Sequence, residues 1–114
     1  MSTPTALNSE NYAALDTGIQ TIMKAGKRAL ITIYTDANGT TMASDEHGPI
    51  DKREVLTISY TASYKDADGN DTNPFVVVKF KYNGDQFVDY FTSVDYVEDH
   101  WYVLSEKTIP FKTF

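Results

Sequence analysis

The sequence has no cysteine. That absence removes disulfide frameworks, thiol nucleophiles and cysteine-rich zinc sites together, and it suits a cytoplasmic protein better than a small secreted one. Histidine is scarce as well: His47 and His100 are the only two, 53 positions apart, and form no pair at a metal-ligating spacing. No stretch approaches the roughly 18 uninterrupted apolar residues of a membrane helix. The first residues, MSTPTALNSE, lack the basic-then-apolar order of a signal peptide, so neither membrane nor secretion is expected. The six glycines are scattered singly, which leaves no phosphate-cradling loop.

Two segments invite a chemical reading, and both fail it. The run Asp66-Ala67-Asp68-Gly69-Asn70-Asp71 looks like a calcium loop, but with Gly69 as its sixth position the first ligand would be Tyr64 and the twelfth Phe75, where carboxylates are needed. His100 with Asp99 or Asp95 offers an acid–base pair without a serine in a Gly-x-Ser-x-Gly setting. No enzyme activity, cofactor or metal site is expected.

Positive charge is also short. Sixteen acids against ten bases give a net charge of −6, which argues against direct nucleic-acid binding through phosphate neutralisation. Residues 85 to 106 hold Asp85, Asp89, Asp95, Glu98, Asp99 and Glu106 and no lysine or arginine. The same window carries Phe87, Tyr90, Phe91, Tyr96, Trp101 and Tyr102. Acidic and aromatic residues interleaved on a sheet can form a docking surface, because aromatics bury large areas at little entropy cost.

What the chain does contain is a patterned set of elements. At 114 residues it is expected to form one domain that buries about 65% of its unfolded surface. Residues 1–7 read as an unpatterned leader and residues 8–114 as a single α+β domain. From an N-cap at Asn8 or Ser9, Tyr12, Leu15, Ile19, Ile22 and Met23 recur at helical spacing, and Gly26 follows as a C-terminal cap. Gly18 marks either a close approach to the sheet or a break, with Thr17 and Gln20 opening a second turn.

Strands follow. Ala29 to Thr35 pairs with Thr40 to Ala43 around Asn38-Gly39, and Ser44 to Arg53 reads as an irregular, mobile loop. Glu54 to Tyr64 alternates, with Leu56, Ile58, Tyr60, Ala62 and Tyr64 on the buried face. Pro74 to Val94 forms a hairpin about Asn83-Gly84, the strongest short turn signal in the chain. A two-residue turn would set Val78 against Asp89. A three-residue turn, Tyr82-Asn83-Gly84, pairs Val78 with Val88 and Val76 with Tyr90, and it is preferred because an unpaired buried carboxylate costs several kcal/mol. Val76, Val78, Phe80, Val88 and Tyr90 then face the core. The last strand, His100 to Lys107, would return beside the hairpin, with Val94 opposite Val103 and Tyr96 opposite Trp101.

The expected fold is α+β: one N-terminal amphipathic helix packed on a single twisted antiparallel sheet of about six strands in a hairpin-connected meander. The expected function is that of a non-enzymatic acidic protein-binding domain: an inhibitor, adaptor or assembly subunit of phage or mobile-element character. Its surface would comprise Asp85, Phe87, Asp89, Phe91, Asp95, Glu98, Asp99 and Tyr102. Its partner would be a protein with a basic surface, or a second copy joined through the open edge of the last strand. The alternative is a small-molecule-binding domain with a pocket between helix and curved sheet, motivated by Tyr60, Tyr64, Tyr90 and Tyr96.

Overall fold

The computed structural model describes residues 3–82, 90–97 and 99–108, with side chains described for 3–81 and 99–108. In chain order the elements are β1 (Thr5–Leu7), α1 (Tyr12–Lys24), β2 (Lys27–Tyr34), β3 (Ser44–Asp45), β4 (Gly48–Pro49), β5 (Arg53–Thr61), β6 (Phe75–Tyr82), β7 (Tyr90–Val97) and β8 (His100–Thr108). The fold is α+β, with one helix on an antiparallel sheet ordered β1-β8-β2-β5-β6-β7 and a separate small hairpin, β3-β4.

The helix forms where its apolar spacing predicts, and it buries Leu15 and Ile19 with Ile22 alongside. Asn8 acts one turn earlier than expected: its carboxamide oxygen accepts from the backbone N–H groups of Glu10 and Asn11, so it closes the turn that feeds the helix. Asn11 in turn donates to the Ala6 carbonyl and ties that turn to β1. The helix does not break at Gly18. A Cβ there would lie 3.1 Å from Leu104 Cδ2, so glycine lets α1 approach β8 closely. Gly26, with φ of 77°, ends the helix in the left-handed conformation that glycine adopts without strain.

Several expectations are corrected. Thr5–Leu7, inside the supposed leader, pairs with β8, and Leu7 is wholly buried. Ser44 to Arg53 is tied down rather than irregular: Ile50 and Ala43 are buried, and their backbones bond each other and Ile33. Along β5 a bulge between Val55 and Thr57 adds one residue, so Val55 replaces Leu56 in the core, while Ile58 keeps its expected burial. Ala62 and Tyr64 lie beyond the strand and are exposed.

The central hairpin keeps its faces but not its register. Val76, Val78 and Phe80 are wholly buried, as the alternation requires. Val78 pairs with Val94, Val76 with Tyr96 and Tyr82 with Tyr90, rather than Val78 with Val88. The displacement is an even number of residues, so the assignment of faces survives it. The expected turn at Asn83-Gly84 and the core position of Val88 lie outside the described residues. The valine-rich strand takes the β-branched and aromatic run 90–97 as its partner, with Asp95 at a position that alternates with the pairs of the buried face.

The meander is broken at its end. β8 pairs with β2 over eight residues, Lys27–Tyr34 against Thr108–Trp101, and not with β7. That register sets Ile31 against Leu104 and Ile33 against Tyr102, and it brings Lys27 Nζ within 3.0 Å of Glu106. The pairings of Val94 with Val103 and Tyr96 with Trp101 are therefore absent.

The helix also completes the sheet. β5 pairs with β2 only at Arg53 and Glu54 and then runs beside α1. There the Ile58 N–H donates to Asp16 Oδ1 at 3.1 Å, the Thr57 hydroxyl donates to the same oxygen at 2.8 Å, and Gln20 Nε2 donates to the Leu56 carbonyl at 2.9 Å. Tyr12 stacks on Tyr60 with ring centroids 5.4 Å apart. Two helix side chains thus take the place of a neighbouring strand. Replacing Asp16 by alanine strands a partly buried N–H and a hydroxyl and should cost about 1–3 kcal/mol. Thermal unfolding measures it, and Asp16→Asn, which keeps an acceptor, should recover part of the loss.

Candidate functional site

Of the residues expected to form one surface, only some fall among the described residues, and those do not all lie together. Asp85, Phe87, Asp89 and Glu98 lie outside the described residues. Phe91 and Asp95 occupy β7 opposite Lys81 and Val77, positions that alternate with the buried Val76, Val78 and Phe80. Asp99 is exposed in the turn into β8, with φ of 92°. Tyr102 is a correction: it packs against the core opposite Ile33, and burial pushes its phenol above the ordinary value. Three strands, β2, β5 and β6, separate it from β7. Leu104, on the same strand, packs against the core too.

The open edge moves with them. β8 is covered by β2 on one side and, over His100–Tyr102, by β1 on the other. Among the described residues the two edges of the six-stranded sheet are β1, three residues long, and β7, eight residues long. The polarity of β7 follows from α1. Because the Ile58 N–H turns away from β6 to Asp16, the opposite Val78 directs its backbone groups toward β7, and Val94 directs its own toward β6. The N–H groups of Phe91, Ser93 and Asp95 therefore lie along the unpaired edge. The run YFTSVDYV holds neither proline nor lysine, the residues that most often blunt such an edge.

The expected pocket between helix and sheet is largely filled by Leu15, Ile19, Ile31 and Ile33. A hollow of about 290 Å³ remains beside the helix start, lined by Thr3, Thr5, Ala14, Leu15 and Tyr102 among others. His100 stands opposite Leu7 and is partly buried. No group of three or more metal-ligating side chains occurs among the described residues. In the loop that resembles a calcium site, the Asp66 carboxylate accepts from the N–H groups of Asp68 and Asn70.

What sequence reasoning missed is basic. Arg28, Lys52, Arg53, Lys81 and Lys107 line one groove, although they are spread from one end of the chain to the other and form no run. Its frame is held by acids. Arg53 makes a two-pronged contact with Asp45 and lies over the Phe80 ring at 4.9 Å. Glu54 lies 3.6 Å from Arg28 and 4.0 Å from Lys81, and all three side chains are mostly buried. Apart from the adjacent Lys52 and Arg53, no pattern of neighbours in sequence announces this cluster, because strand pairing brings its other members together.

The chain matches no protein-family model, no curated protein and no solved structure. Function must therefore be argued from the geometry itself.

The hydrogen bond from the Arg53 guanidinium holds the Asp45 carboxyl below its ordinary value of 3.8. Its stabilisation is accordingly full above that value and is lost as pH falls through the lower folded one. Asp45→Asn should lower stability by about 1–3 kcal/mol at neutral pH and by less in acid. Thermal unfolding of both proteins across an acid series checks this, and a gap that stays constant with pH would contradict it.

Proposed function

We propose that the protein is a non-enzymatic binding domain of the cytoplasm that engages a protein partner through the edge of β7, as an inhibitor, adaptor or assembly subunit. The observation that carries this reading is that β7 is an eight-residue strand paired with β6 alone among the described residues. An extended segment of a partner, or β7 of a second copy, could add to that edge by main-chain hydrogen bonds. The acidic character of the surrounding sequence favours a partner with a basic surface, since like charge is repelled before contact. Docking by strand addition needs no catalytic group.

The alternative, a small-molecule domain with its pocket between helix and sheet, is the weaker reading. The hollow there, about 290 Å³, sits just below the roughly 300 Å³ at which ligand pockets begin.

Proline discriminates between the two edges of β7. Ser93→Pro removes an N–H from the open edge and leaves the ladder to β6 intact, whereas Thr92→Pro breaks that ladder. The expected result is that Ser93→Pro unfolds near the parent temperature yet loses partner capture from a low-salt lysate, or loses self-association measured by light scattering. Unchanged binding by Ser93→Pro would reject strand addition.

A further inference from the structure

We infer that the basic groove between β2, β5 and the β3–β4 hairpin is a binding site for a phosphate group carried on a small organic body. The groove encloses about 440 Å³, within the range of small-molecule sites. Five of the chain's ten lysines and arginines line it, against two of its sixteen acids, Asp51 and Glu54. Gathering cations in this way is unfavourable unless something offsets their repulsion, and in a chain of net charge −6 it is the reverse of what composition alone would place there.

The cations fall into two sets. Arg28, Arg53 and Lys81 are mostly buried and already held by Glu54 and Asp45, so they form a fixed floor. Lys52 and Lys107 are exposed at the groove and form no ion pair among the described residues. Lys52 is also held in an unusual conformation. Its φ is 50°, in the left-handed region, and its backbone N–H donates to the hydroxyl of the buried Thr32 at 3.0 Å. A non-glycine residue is kept in that region only when its surroundings hold it there, and here the effect is to station an ammonium at the groove.

Two lysines to spare match the charge of a phosphate monoester, about −1.5 to −2 at neutral pH, better than the single charge of a carboxylate. Leu30 and Pro49 supply an apolar wall beside the charges, which suits an organic body on the phosphate. Neither the edge of β7 nor a protein partner enters this inference, so the two readings stand or fall separately.

The test uses the full chain at low salt. Backbone amide shifts would be followed by NMR while inorganic phosphate, phenyl phosphate, acetate or chloride is added at matched ionic strength. Phosphate should produce saturating, millimolar shifts confined to Arg28, Lys52, Arg53, Lys81 and Lys107 and their neighbours, with phenyl phosphate binding more tightly. The double variant Lys52→Gln/Lys107→Gln should unfold at the parent temperature and bind phosphate at least about tenfold more weakly, since charge-assisted contacts are the strong ones. A response to phosphate no different from that to chloride would overturn the site. Acetate binding as well as phosphate would overturn the ligand class, and phenyl phosphate binding no more tightly than phosphate would overturn the organic body. Unaltered phosphate affinity in the double variant would remove Lys52 and Lys107 from the site and overturn the inference with them.

Discussion

A strand that leaves its neighbour must satisfy its backbone elsewhere, and in this protein the helix does so. Past Glu54, β5 turns off β2, and the donors and acceptors it exposes meet Asp16 and Gln20 on α1. An unpaired backbone group away from water costs free energy comparable to a lost hydrogen bond, so these two polar side chains decide where the sheet can divide. The direction they impose on the Ile58 N–H propagates by alternation through β6 to β7. The groups that β7 presents away from β6 are therefore set in part from the helix, two strands away.

Much of the architecture is legible in the sequence because it is written in periodicity. The helical spacing of Leu15, Ile19 and Ile22 and the alternation of Val76, Val78 and Phe80 each name an inward face, and the structure buries all of these but Ile22, which packs half-buried against the core. Register is another matter. A shift by an even number of residues preserves every face, so alternation could not choose between Val88 and Val94 as the partner of Val78. The path of β8 was hidden for a related reason. Nearness in sequence favours β7 as its neighbour, while the match of Leu104 and Tyr102 to Ile31 and Ile33 lies far away along the chain.

The expected binding surface has a different basis from the fold. It rested on a local window of composition, and composition does not say which residues a sheet brings side by side. Tyr102 belongs to that window by number and to the core by position. Conversely the basic groove has no window at all: Arg28, Arg53, Lys81 and Lys107 come from four different strands. Clusters assembled by strand pairing leave no trace in a linear reading unless the pairing itself is known.

The pairing of β2 with β8 also bears on how the chain reaches this fold. β2 is made early and its main partner late, with the small hairpin, β5, β6 and β7 all intervening. During synthesis the buried residues Ala29, Ile31 and Ile33 would wait on an incomplete sheet until His100 to Thr108 leave the ribosome. Contacts between such distant segments are slow to close, because the loop entropy is spent before any contact rewards it. Until β8 is made, β2 has only α1 and two residues of β5 against it, and chaperones that bind extended apolar segments would find its uncovered edge there.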